Sequence, residues 1–184
     1  MATQAGLPYG MTDLYGERLD SSDTPVTGSG VRLTSGQTMD VTINEDQTDE
    51  EGYGVVVGTV YSATSADLSI QAAGVDLDFQ ALITGGTVAT SGSSPNVVQT
   101  LDIGVEGQAR PYCKITGRAL GNNGGSALLS VNKCRFSLPG GGFDHKAFNE
   151  VTMDGRAIVP TAGPNSGKLL TRKHYQTATA YTPA

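Results

Sequence analysis

The stretch Ala66–Thr90, ADLSIQAAGVDLDFQALITGGTVAT, constrains the fold most, because its hydrophobic period changes twice in one short run. Ala66, Leu68 and Ile70 alternate with Asp67, Ser69 and Gln71, the pattern of a half-buried strand. Past Gly74 the spacing switches. Val75, Phe79, Leu82 and Ile83 fall at i, i+4, i+7 and i+8, which predicts one packing face of an α-helix over about residues 75–84. Asp76 and Asp78 fall in its first turn, where carboxylates suit the positive end of the helix dipole. Gly85 and Gly86 stop it, since glycine takes the left-handed conformation that closes a helix. Thr87–Thr90 returns to β-type composition. A sheet must receive the helix's apolar face, whose side chains contribute at most roughly 1.5–3 kcal/mol each on burial.

The rest of the chain supplies that sheet. At 184 residues, with 25 glycines and only 16% charged residues, it is sized for one domain over 1–184, built of short strands joined by turns. Residues 1–30 read as an amino-terminal arm or loop region with one short strand near Leu14–Leu19. Val31–Leu33 and Met39–Ile43 are β-like. In NEDQTDEEGYG, Glu45, Asp46, Asp49, Glu50 and Glu51 crowd together without any apolar period, which predicts a long acidic exposed loop over about residues 44–54. Val55–Tyr61 is a dense β run with the composition of a central strand. Further strands are expected at Val97–Val105, Val151–Val159 and Lys168–Tyr181. Tyr112–Leu120 and Ala127–Leu138 form a hairpin across GNNGG. The expected fold is mainly β, a β-sandwich or partly open barrel with one short flanking helix.

A simple register for that hairpin sets Cys113 opposite Cys134, and Lys114 opposite Lys133. Like charges directly opposite are unfavourable, so the spacing points to a bulge or a slip. Two cysteines make no disulfide framework, and reduced, partly buried thiols are expected. The first residues, MATQAGLPYG, lack the basic and apolar regions of a signal peptide, and no run approaches the ~20 apolar residues that span a bilayer; synthesis and folding in a cytosol are expected, with no membrane partner.

Net charge is −6, but unevenly spread. Residues 1–109 carry fifteen acids against Arg18 and Arg32, a balance of −13, whereas residues 110–184 carry three acids and ten bases, a balance of +7. Such asymmetry is satisfied either inside a subunit or head to tail between identical subunits.

No enzyme signature emerges. His145 and His174 lie in no ligand-like pattern, and no metal or other cofactor is implied. GPNSGKL at Gly163–Leu169 fails the phosphate-loop pattern at both ends and reads as a turn. The basic hairpin has Tyr112 and Phe136 as its nearby aromatics, too few for a stacking groove, and a pI near 4.7 opposes tight phosphate binding.

Five segments, taken in order, resemble a known family: LPYGMTDLY, the strand–helix–Gly-Gly unit followed by TVATSGSSPN, PYCKITGRALGNNGG, FSLPGGGFDHKAFNEVTMDGRAI and GKLLTRKHYQTATA. Together they are similar to the major tail protein of long non-contractile-tailed phages (siphoviruses), particularly those of actinobacteria. Each segment is small residues and turns; the specificity lies in their order across nearly the whole chain. The resemblance implies a virion structural protein whose copies form stacked hexameric rings around a channel for DNA. It implies contacts with a tape measure protein and a tail terminator, and genomic DNA that transits without specific binding. An acidic or neutral lining suits that passage, because neutralising about 6–10 phosphates would hold DNA back. On the same scheme the acidic segment, with Glu45, Asp46, Asp49, Glu50 and Glu51, makes the inter-ring contact; the excess of bases after residue 109 offers Arg172 and Lys173, on the final strand, as its expected partners. A capsid decoration or host-attachment β-sandwich is the alternative, distinguished by whether the protein self-polymerises.

Overall fold

The computed structural model of the chain describes residues 8–52, 55–74, 76–122, 124–139 and 150–184. Among these residues ten strands and one helix follow in order: β1 (Pro8–Arg18), β2 (Val31–Leu33), β3 (Gly36–Gly52), β4 (Val55–Ala73), α1 (Leu77–Thr84), β5 (Val88–Ser91), β6 (Val98–Leu101), β7 (Cys113–Gly121), β8 (Ser126–Phe136), β9 (Glu150–Ile158) and β10 (Leu170–Tyr175). The fold is mainly β with one helix, as the periodicity predicts.

The main sheet is antiparallel and runs β2-β1-β7-β8-β9-β4-β3, with β10 joined to β8. One edge of β8 pairs β7. Its other edge is shared, Ser126–Val131 bonding β10 and Cys134–Phe136 bonding β9. The sheet curls over its own core without closing, since β2 and β3 end it and do not pair. The two flanks meet through side chains: a Cβ placed on Gly117 of β7 would lie 2.9 Å from Met39 Sδ of β3. Inside sit Leu14, Leu68, Ile70, Ile115, Val131, Phe136 and Met153, drawn from inward-facing positions of five strands, β1, β4, β7, β8 and β9, as the two-residue period of a strand requires. In β4 the alternation is complete, with Ala66, Leu68, Ile70 and Ala72 buried and Asp67 and Gln71 exposed.

α1 plugs one end of this core through Phe79, Leu82 and Ile83, all buried. It begins at Leu77 because Asp76 is its cap, extended at φ −102°, ψ 101°, and accepts the Phe79 N–H at 3.0 Å. Val75 lies outside the described residues. Gly85 ends the helix at φ 80°, its N–H donating to Ala81 O at 2.9 Å. The helix lies directly on β1: a Cβ at Gly16 would stand 2.4 Å from Leu82 Cδ2 and 3.0 Å from Phe79 Cε2. β5 and β6 form a separate two-stranded sheet.

Three expectations need correction. The acidic segment is no irregular loop: Asn44–Gly52 continues β3 and pairs with Val55–Ser65 of β4. Val55–Tyr61 is not a central strand: β9 pairs β4 over Ser65–Ala73, and beyond it β3 is the one neighbour among the described residues. The final strand stops at Tyr175. Residues 176–184 then cross the outside of β8, β7 and β1, with Thr179 N–H on Ser126 Oγ (3.2 Å) and Ala184 N–H on Glu17 Oε1 (2.7 Å).

Candidate functional site

The most distinctive feature outside the core is the two-stranded arm. Over Glu45–Asp49 and Thr59–Ala63 both of its faces meet solvent, so no apolar alternation is imposed there, and this is why the acidic segment reads as a loop. At about 3.3 Å per residue, Glu45–Gly52 carries it roughly 26 Å beyond the body of the sheet. A register shift at Asn44/Glu45 places one extra residue on β4 where the arm leaves. Beyond it, Glu45, Gln47 and Asp49 share one face with Ala63, Tyr61 and Thr59, while Asp46 and Thr48 share the other with Ser62 and Val60. Val60 and Tyr61 are each 64% exposed. Gln47 Nε2 (2.9 Å) and Thr59 Oγ1 (2.8 Å) both donate to Asp49 Oδ1 and hold that carboxyl below its ordinary range. Glu50 and Glu51 pair through their backbones with Gly58 and Val56; their side chains lie outside the described residues.

The charge asymmetry is satisfied internally near the base of the sheet. Asp13 binds Arg118 (2.9 Å), Glu17 binds Lys114 (3.0 Å) and Asp23 binds Lys133 (2.6 Å), each joining the acidic part of the chain to the basic part. Among the described residues, no acid of the arm takes part in an ion pair, and neither do Arg172 and Lys173 on β10. Those two bases stand exposed opposite Leu129 and Leu128 of β8. Among the described residues, Glu45, Asp46 and Asp49 of the arm and the two β10 bases are therefore left without an ion-pair partner.

The bulge expected between the lysines is present. Cys113 pairs Cys134 and Ile115 pairs Val131, so Asn132 and Lys133 together oppose Lys114. This separates the like charges and gives each its own carboxylate. Lys133 also lies 4.7 Å from the centre of the Tyr112 ring, with the Arg135 guanidinium at 4.0 Å.

Both thiols are free and buried beneath α1, with Cys134 Sγ 3.2 Å from Cys113 O and Cys113 Sγ 3.7 Å from Leu82 O. Burial pushes Cys113 up to about 12 and Cys134 well above its ordinary value. Thiolate is the reactive form, so both should resist alkylation in the native protein and react fully after unfolding. Mass spectrometry of iodoacetamide-treated protein checks this. Rapid native labelling would show that the β7–β8 end is open.

Sequence reasoning missed two features. One is Glu17, its side chain 1% exposed, which accepts from Lys114 Nζ, the Tyr181 hydroxyl and the Ala184 N–H. Nothing in TDLYGERL marks it. The other is a cavity of about 290 Å³ at the end of the sheet away from α1, lined by Met11, Met39, Ala127 and Leu129 with Arg172 and His174 at its side. His145 lies outside the described residues. Gly163–Leu169 is a turn, with Gly163 at φ 72° and Gly167 at φ 75°. Among the described residues, no three His, Cys, Asp or Glu side chains group as metal ligands, and no helix is long and apolar enough to cross a membrane.

No protein-family model matches the chain, and no curated protein matches it. Solved structures do. A chain from the tail of an empty GTA particle with C6 symmetry is 12% identical over 88% of this chain and 95% of that one, with a TM-score of 0.42. A chain from the six-fold symmetrised baseplate of the anti-feeding prophage (AFP) is 11% identical over 84% of this chain and 92% of that one, with a TM-score of 0.41. Both come from symmetric tail or baseplate assemblies, and what this chain is similar to in them is the path of the backbone.

Proposed function

We propose that this chain is a structural virion protein, the tail tube subunit of a long-tailed phage. Its copies close into six-membered rings that stack around a channel, and genomic DNA passes through without specific binding. The protein makes and breaks no bond. Assembly takes place in the host cytoplasm, with a tape measure protein inside the tube and a terminator at its end.

The observation that carries this reading is the arm. An isolated two-stranded hairpin is marginal in water, and exposed strand edges invite pairing with another chain. A ribbon reaching roughly 26 Å from the sheet, with several unpaired carboxylates and an exposed Tyr61, suits a contact made between subunits. Arg172 and Lys173, exposed on β10, supply the opposite charge elsewhere on the subunit. The order of sequence segments that resembles the tail-tube family supports the same reading independently.

Negative-stain microscopy of the purified protein tests it directly. Hollow filaments of uniform width are expected. A protein that stays monomeric or trimeric at high concentration would instead fit a capsid decoration or host-attachment module. Charge reversal at Glu45 and Asp49 should then suppress filament growth while lowering the unfolding free energy by no more than about 1–2 kcal/mol, the worth of the two exposed hydrogen bonds that Asp49 accepts. Exposed pairs give only about 0.2–1 kcal/mol each, but every ring repeats them six times, and raising salt should weaken wild-type growth in the same direction. Normal assembly of the Glu45→Lys/Asp49→Lys variant at low salt would sink the arm's role.

A further inference from the structure

We propose that the cavity at the open end of the sheet is the socket for the arm of a second copy of this chain, with Tyr61 as the inserted side chain. The proposal deepens the tail-tube reading and rests on the self-association that reading requires.

The chemistry of the two surfaces matches. The cavity is walled by Met11, Met39, Ala127 and Leu129, and its polar flank is Arg172 and His174, with no carboxylate among its lining residues. Methionines adapt to inserted groups and make favourable sulfur–aromatic contacts. An engineered cavity of roughly 150 Å³ holds benzene, so about 290 Å³ accommodates a phenol ring. On the arm, Tyr61 is flanked on its own face by Glu45 and Asp49, and residues 33–109 hold no Lys or Arg at all. A tyrosine between two carboxylates thus meets an apolar hole beside a guanidinium and an imidazole.

The occupant has to be another copy. Met39 lies in β3, and Tyr61 pairs with Gln47 eight residues further along that same strand. At about 3.3 Å per residue, the arm holds its own Tyr61 roughly 26 Å from its own socket, and the strand pair is continuous between them. Arm and socket therefore stand at opposite ends of one strand pair. That is the geometry of a head-to-tail contact, which propagates rather than closing a two-fold dimer.

Mixed cysteine cross-linking tests the proposal, since the buried native thiols stay silent. Tyr61→Cys protein is co-assembled with Met39→Cys protein, or with Ala127→Cys protein should the first perturb folding, and treated with a short bismaleimide. Cross-linked dimer is expected from the mixture and not from either variant alone. Arg172→Glu in the socket partner should cut the yield roughly fivefold at low salt, and Asp49→Lys in the arm partner should restore it. Absence of the mixed product while both variants assemble like the parent overturns the socket, and so does a Tyr61→Cys protein that cross-links to itself. A parent chain that sediments as a monomer at every concentration overturns the tail-tube reading first, and that result is visible before any cross-linker is added.

Discussion

Replacing Phe79 by alanine should cost about 3–5 kcal/mol, the range seen when an aromatic side chain is deleted from a packed core. Phe79 is fully buried, and its ring edge lies 3.0 Å from where a Cβ on Gly16 would stand. The β1 backbone already touches the helix, so α1 cannot settle inward to fill the space left behind. The cost should therefore fall in the upper part of the range, because the residual cavity adds to the lost transfer energy. Urea unfolding of the purified monomer measures it. A loss below about 1 kcal/mol would mean that α1 does not close the core. If the chain assembles as proposed, the same lesion should also lower filament yield, since assembly draws on the folded population.

Lys114→Met should cost about 3–5 kcal/mol at neutral pH, because it strips one partner from a buried ion pair and leaves the other charge behind. Burial by itself would raise the Glu17 carboxyl, but the Ala184 N–H, the Tyr181 hydroxyl and the Lys114 ammonium outweigh it and hold the carboxyl below its ordinary 4.5. A depressed carboxyl contributes stability that is present above pH 4.5 and is lost as pH falls through the folded value. Burial likewise would lower Lys114, yet Tyr181 and Glu17 keep it above its ordinary 10.5, so its contribution is present below that pH and fades above it. The gap between parent and variant should accordingly be widest between these limits and should narrow in acid. Unfolding curves at pH 7 and pH 3 decide it. An equal gap at both would mean that packing of the lysine stem, rather than its charge, supports Glu17.

How much of this was legible follows from which residues are half-buried. Ala66–Ala72 announces itself because one face is core and the other is water, and the helix does so because three of its residues plug a single hole. The bulge opposite Lys114 was readable from charge alone, since a regular ladder would have set two ammonium groups face to face. The arm was not legible as strand. Val55–Tyr61 has the composition of an interior strand, yet Val60 and Tyr61 face solvent, and composition cannot report which neighbours a strand has. Glu17 was hidden for another reason. Its partners, Lys114, Tyr181 and Ala184, lie 97 or more residues away; the β1–β7 ladder sets Lys114 opposite it, and the tail crossing the sheet after Tyr175 brings the other two.

The shared edge of β8 has a mechanical consequence. Nine residue pairs bind β4 to β9, whereas three bind β9 to β8, where β10 takes up the rest of the edge. Ladder bonds lie across the strands, so a pull along the arm loads the nine β4–β9 pairs in shear and all at once. The same force then reaches the rest of the subunit through only three pairs at Cys134–Phe136, helped by side-chain contacts such as Met39 against Gly117. Under tension or bending the subunit should yield there first: β3, β4 and β9 would swing as one plate against the remainder, with Phe136 as the pivot. On the proposed stacking, a filament of such subunits would flex within each subunit while the proposed arm contacts stayed fixed.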